Sequence, residues 1–256
     1  MTAEEAIIRK ALFGSNLSSE QLSSLPVEFR NRSIFSARVE ELRVLFDIRE
    51  KVSRIAAGKL SASEARRDLR TLLDSMGYDP GDDRGTIKDL LTKRRLDLIL
   101  QTNARQARGY VQHLEATSAG ALLATPGQEL IRVRRRNVPR DWRSRWTEAG
   151  GKLYDGRMIA LKTDPIWTRI SRFGNPYPPF DFGSGMGVEG VGRRECIRLG
   201  VIGPDDPPQK VPPREDFNAN LQASVPFGAD SPEYRALQRQ YGDKVSFENG
   251  AVTLKV

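Results

Sequence analysis

The residues best suited to chemistry lie in one stretch, RVRRRNVPRDWRSRWTEAGGKLYDGRMIALKTDPIWTRISRFGNPYPPFDFGSGM, which starts at Arg132 and ends at Met186. It opens with seven arginines, Arg132, Arg134, Arg135, Arg136, Arg140, Arg143 and Arg145, against one acid, Asp141. A guanidinium presents a planar fork of donors that matches phosphate or carboxylate. All three tryptophans of the chain, Trp142, Trp146 and Trp167, fall in the same stretch. Trp142 and Trp146 are four apart and would share a helix face, interleaved with Arg143 and Arg145. Three roles fit this pattern. Arginine beside aromatic makes a nucleic-acid surface, with phosphate on the guanidinium and bases on the ring. The same residues anchor protein interfaces. Alternatively the tryptophans form a small core while the arginines are solvated, and such a core would also display the arginines outward.

Templates for catalysis are absent. There is no G-x-x-x-x-G-K-S/T phosphate loop, and Gly183-Ser184-Gly185 falls short of G-x-S-x-G. The lone His113 stands beside Leu114 in a helical pattern and reads as a helix residue rather than a catalyst. Asp155, Asp164 and Asp181 lie in a Gly/Pro-rich region, but without Asp-x-Asp or EF-hand spacing they are a weak signal for a hard cation. One cysteine, Cys196, and one histidine exclude a disulfide framework and a histidine–cysteine metal cluster. No catalytic residue, metal, cofactor or small-molecule substrate is therefore expected. The segment Pro176 to Gly187 is different in kind. Pro176, Pro178 and Pro179 stiffen the backbone, Phe180 and Phe182 flank Asp181, and Gly183, Gly185 and Gly187 permit unusual backbone angles. A rigid stem before a glycine-rich turn suits a binding site or an architectural clamp, and both stay open.

The elements that must position these residues are mostly helical. With 256 residues, 38% hydrophobic and 29% charged, the chain is long enough for a substantial core and too polar for a membrane protein. The start, MTAEEAIIRKALFG, sets acids before a short apolar run, the reverse of a secretory signal, so export is not expected. A net charge of +8 favours nucleic acid or an acidic protein surface. Apolar spacing predicts a short helix from Ala3 to Leu12, a turn at Gly14-Ser15-Asn16, and a second start at Ser18 or Ser19. A longer helix is predicted from Ser33, with Phe35, Val39, Leu42, Leu45, Phe46, Ile48, Val52 and Ile55 on its stripe and Gly58 at its end. Ser61 or Ser63 caps the next, with Leu69, Leu72, Leu73 and Met76 inward and Gly77 closing it. A third runs from about Ile87 to Ala116 with Leu96, Ile99, Asn103, Ala107, Tyr110 and Leu114 in line. Asn103 on that stripe either fixes register, clamps a loop, or marks a place where the stripe is partly exposed. Beyond Gly200 the run GPDDPPQKVPPREDF reads as a linker or extended arm. A helix from Pro232 to Tyr241 and a hairpin from Val245 to Val256 around Asn249-Gly250 follow.

The expected fold is thus α+β and predominantly α-helical. It has a helical N-terminal region over residues 1–118 and a compact Gly/Pro/Trp-rich region with few short strands over 119–200, on which the helix 87–117 packs. A proline-rich extension over 201–256 completes it.

The segment from about Arg94 to Gly200 resembles the phage Mu F-type minor head, or head morphogenesis, protein family. The resemblance is carried by Arg95-Leu96, Ile99, Thr102-Asn103, Ala107 and Tyr110, then Asp164-Pro165-Ile166-Trp167, Pro178-Pro179-Phe180 and Ser184-Gly185-Met186. Family members carry a histidine motif and a Cys-x-Cys where this chain has Asp155-Gly156-Arg157-Met158 and Gly185-Met186-Gly187-Val188, so no metal or thiol role carries over. The resemblance implies a structural protein of the virion head, made in the host cytoplasm and acting during procapsid assembly. It implies the portal protein and other capsid proteins as partners, with double-stranded DNA as a further one. The motif positions Asn103, Trp142, Trp146, Trp167, Pro178, Pro179, Phe180, Asp181 and Gly185 would be the scaffold. The seven arginines would be the contact surface. The rival readings are a basic DNA-binding protein without a virion role and an enzyme or toxin-associated domain.

Overall fold

Thr2 accepts the backbone N–H of Glu5 while the Glu5 carboxylate accepts that of Thr2, and this reciprocal cap opens helix α1, Ala3–Ile8. The computed structural model describes residues 1–12, 17, 21, 25, 33–34, 41–86, 88–135, 137–213, 221–224, 228–248 and 250–254. The turn at 14–16, the caps at Ser18 and Ser19, Phe35 and Val39 lie outside them. Two compact units result, residues 1–104 with 215–256, and residues 105–214. Sequence texture places changes near 118 and 200 instead, because texture marks where helical periodicity stops rather than where packing stops.

In the first unit α1 packs on helix α2, Leu42–Ala56. Helix α1 stops before the predicted Leu12, because Ala11–Leu12 forms a strand, β1, paired in parallel with β2, Ser33–Ile34. The helix predicted from Ser33 therefore begins at 42, where the Glu41 carboxylate accepts the N–H of Arg43. Its buried face is Val44, Leu45, Ile48, Val52 and Ala56, and Phe46 is exposed instead of inward. Helix α3, Ala62–Ser75, has the Ser61–Glu64 capping box, buries Leu69 and Leu73, and is followed by Gly77 at φ 69°. At the chain's other end, β7 (Leu221–Ser224), β8 (Val245–Glu248) and β9 (Ala251–Leu254) form an antiparallel sheet in the order β7-β9-β8. The predicted hairpin is β8–β9, with Gly250 at φ 74° and Asn249 outside the described residues. Helix α9, Pro232–Tyr241, spans its predicted range.

Helix α4, Lys93–Ala116, begins later than the pattern suggests. The Asp89 carboxylate accepts the N–H groups of Gly85 and Leu91, and Thr92 accepts that of Arg95, so the chain is held in turns until residue 93.

The second unit is built on an antiparallel sheet in the order β4-β5-β3-β6: Leu153–Tyr154, Arg157–Leu161, Gly127–Arg132 and Met186–Val191. Strand alternation divides its faces. Leu130, Met158, Ala160, Met186 and Val188 meet the aromatic cluster of Trp142, Trp146, Trp167 and Phe180. Ile159 and Val191 meet Cys196 of helix α8, Arg193–Arg198. Gly127 is required on that second face, where an added Cβ would stand 2.7 Å from the Cys196 sulfur. Between α4 and β3 lies the short helix α5, Ala119–Ala124. The buried Lys162, just past β5, gives its ammonium hydrogens to the Ala116 and Ala121 carbonyls and the Thr125 hydroxyl at 3.0, 3.5 and 2.7 Å. The whole is a mixed α+β fold dominated by helix.

Residues 203–213 have no regular structure, as their prolines require, but they are anchored rather than loose. Arg193 donates to the Pro204 and Asp206 carbonyls, and Gln209 joins Thr163 to the Pro126 carbonyl.

Candidate functional site

The site grows from a helix cap. Asp141 accepts the backbone N–H and the hydroxyl of Ser144, and those two bonds hold its carboxyl below the usual range. This opens helix α6, Trp142–Glu148, whose pitch sends Trp142 and Trp146 inward together. Trp146 and Trp167 meet edge to face at 5.2 Å, and Trp167 stacks on Phe180 at 6.0 Å. The indole N–H of Trp146 donates to the Lys152 carbonyl and that of Trp167 to the Leu161 carbonyl, both at 2.8 Å. All three tryptophans are at most 3% exposed, so of the three roles open to them they take the core one. Gly151 is compelled here, since an added Cβ would lie 2.6 Å from Trp146 Cδ1.

Arg145, one position before Trp146, faces out of that core. Its guanidinium lies 4.7 Å above the Trp142 ring and donates to the Asp181 carboxylate at 3.0 Å. Asp181 is 5% exposed, and two further guanidiniums reach its carboxylate at 3.8 Å, Arg140 and Arg172. Arg140 also donates to the Phe182 carbonyl at 3.0 Å, and Arg132 to the Arg140 carbonyl at 3.4 Å. Arg172 lies 5.4 Å over the Phe182 ring, with its backbone N–H on the Phe180 carbonyl. The Gly185 carbonyl accepts the N–H groups of both Val133 and Arg134, tying the end of β3 to the glycine-rich turn. One buried carboxylate is thus surrounded by three arginines, with Arg132 and Arg134 beside them.

The predicted arginines therefore separate. Arg132, Arg140 and Arg145 gather about Asp181, and Arg134 and Arg135 are exposed at its edge of the sheet. Arg143 is on the other side of α6, where its guanidinium lies near Gly156. Arg136 lies outside the described residues. The spacing of the arginines missed Arg172, because the fold rather than proximity in sequence brings it to Asp181.

The proline segment is a clamp on α4. Tyr177 packs on Tyr110 and His113 at 5.7 and 5.6 Å between ring centroids. Gly109 lets this happen, because an added Cβ would overlap the Pro178 carbonyl oxygen. Pro178 and Pro179 lead directly into the buried Phe180 and Asp181. Burial against this segment pushes His113 down to about 4 and keeps it neutral at ordinary pH. Asn103 is half-buried and donates to the Ile99 carbonyl of its own helix, as a residue at the margin of a stripe does.

No match was found among family models, curated proteins or solved structures.

The remaining candidate acids have local partners. Asp164 accepts the N–H of Ile166 at the start of helix α7, Ile166–Arg169. Asp155 and Gly156 have φ of 50° and 75°, the two-residue turn of the β4–β5 hairpin, and Asp155 reaches Arg198 at 3.5 Å. Among the described residues no group of three or more His, Cys, Asp and Glu side chains is placed to hold a metal. On the sheet's other face, Arg157 bridges Glu129 and Glu195, and Arg198, then Arg157, hold the Glu195 carboxyl down to about 2. No described helix is long and apolar enough to cross a membrane.

Proposed function

We propose that this chain is a structural protein of a phage or prophage head, a minor head protein that binds the portal vertex and other capsid proteins during procapsid assembly. The observation that carries the reading is the use made of its distinctive residues. The prolines, glycines and tryptophans are spent on a rigid core. An assembly protein works by holding fixed surfaces against its partners. The order of motifs from Arg95-Leu96 to Ser184-Gly185-Met186 supports the same assignment. A structural role is supported by the uses of the candidate residues: Asp155 closes a turn, Asp164 accepts the first N–H of α7, Asp181 pairs with arginine, and His113 packs against Tyr177.

The test is capture and fractionation. The tagged chain, expressed in cells assembling the particles, is expected to recover the portal protein and to co-purify with heads. A chain that recovers no portal and is absent from purified particles would overturn the assignment.

A further inference from the structure

We propose that the arginine face around Asp181 binds the phosphate backbone of double-stranded DNA, with Asp181 as the residue that positions its guanidiniums. The inference rests on the head-protein reading, which brings the chain together with packaged duplex, and its support is charge and geometry.

Asp181 compensates one positive charge of the three that surround it. Arg145 takes the close contact at 3.0 Å, while Arg140 and Arg172 stand at 3.8 Å, beyond hydrogen-bond reach, with side chains 47% and 61% exposed. Arg132, Arg134 and Arg135 are exposed and have no carboxylate within 4 Å among the described residues. The face therefore carries several guanidinium forks in excess of its acids. They are also held in place: Arg140 by the Phe182 carbonyl, Arg172 by the Phe182 ring, Arg132 by the Arg140 carbonyl. Side chains fixed before binding lose less freedom when a phosphate arrives.

The same packing decides against other partners. Sequence-tolerant single-strand binding uses exposed aromatic rings as stacking platforms, and the tryptophans are buried. An acidic protein partner would bury a desolvated anchor at the centre of the patch, where tryptophan or tyrosine commonly stands beside arginine. Phe182 is the aromatic nearest to that, at 37% exposed, and its ring is taken up by Phe173 and Arg172. Val133 and Val138 are exposed too, but valine seldom anchors an interface. What remains is phosphate contact without base readout, and for that chemistry duplex DNA is the natural ligand.

The experiment is a salt titration of the full chain on a random-sequence duplex of about thirty base pairs, read by fluorescence anisotropy. With about four phosphates engaged, affinity is expected to fall roughly 100-fold between 50 and 200 mM salt. A single strand of equal length should bind no tighter. Removing the two arginines that stand 3.8 Å from Asp181, R140A with R172A, should weaken binding at least tenfold and flatten the salt slope, whereas R67A with R84A, the same charge lost elsewhere, should leave it within twofold. D181N separates positioning from bulk charge. It removes a negative charge, so bulk electrostatics predicts tighter binding and positioning predicts weaker. Tryptophan emission shows which variants keep the core, and if D181N does not, the R140A/R172A pair decides. Salt-independent binding, unchanged affinity in the folded double variant, or binding to an acidic peptide but not to duplex would each overturn the proposal. Portal capture by a variant that has lost DNA binding leaves the head-protein reading standing. DNA binding by a chain absent from particles removes that reading instead.

Discussion

Replacing Gly109 by alanine tests the junction between α4 and the proline segment. In an unobstructed helix interior this change stabilises by about 0.5–1 kcal/mol, because alanine loses less backbone freedom on folding. Here the new methyl overlaps the Pro178 carbonyl oxygen and comes 3.3 Å from the Tyr177 ring. The neighbour that must give way is backbone within a run of prolines, so relief by side-chain rotation is closed. Overpacking of this kind costs about 1–3 kcal/mol. Moving the segment also parts Tyr177 from Tyr110 and His113, and such ring contacts contribute about 0.5–1.5 kcal/mol each. The net expectation for G109A is a loss of about 2 kcal/mol, or roughly 1 M in the urea midpoint. Tryptophan emission is the right probe, since all three tryptophans lie in the same unit, residues 105–214. Gly120 in α5 is the control: nothing lies within 4 Å of its added Cβ, so G120A should hold or raise the midpoint. A G109A midpoint equal to or above that of G120A would refute the close-approach argument.

Other outcomes follow from the same unit. Burial holds His113 at about 4 against an ordinary 6.5, so the unfolded chain takes a proton that the folded one refuses. Stability is complete above pH 6.5 and falls as pH drops towards 4, by about 3 kcal/mol in all. In H113Q that part of the decline should vanish, and urea midpoints at pH 7 and 4.5 falling equally in both proteins would show the assignment wrong. The Trp142 indole N–H has no acceptor among the described residues, whereas that of Trp146 has the Lys152 carbonyl. Phenylalanine should therefore cost about 2 kcal/mol or more at 146 and clearly less at 142, and equal losses on denaturation would contradict this. The Arg157 bridge to Glu129 and Glu195 is partly exposed, so R157A should cost no more than about 1 kcal/mol, a difference that shrinks in high salt.

What the sequence made legible was what local rules govern. The Ser61 cap, the glycines after α2 and α3, the range of α9 and the β8–β9 hairpin all depend on neighbours within a few residues. Ser33–Ile34 could not be read that way, because it is a strand through pairing with Ala11–Leu12, far off in sequence. Phe46 fitted a helical stripe as well as Leu45 did, and only the packing of α1 and its neighbours chooses between them. At the candidate site the arginines and tryptophans were visible, but their interleaving allowed three roles, and burial selects among them. Arg172 had no signal, since its relation to Asp181 exists only once the segment 172–181 is folded. Two signals were present and unused: Asp155-Gly156 between strand-like runs marks a hairpin, and a glycine amid the helical pattern at 109 marks a close approach.

Lys162 has a bearing on how the chain tolerates changes of length. Its ammonium has three hydrogens, and the Ala116 carbonyl, the Ala121 carbonyl and the Thr125 hydroxyl take them. Two of those acceptors end one helix and begin the exit from another, so a single cation measures the register of both. One residue inserted or deleted at Thr117-Ser118 would turn a carbonyl away and strand a charge in the interior. The turn at 79–86 is mostly exposed to solvent. Among related chains, then, insertions and deletions should collect in the turn before α4 and be missing from the joint between α4 and α5.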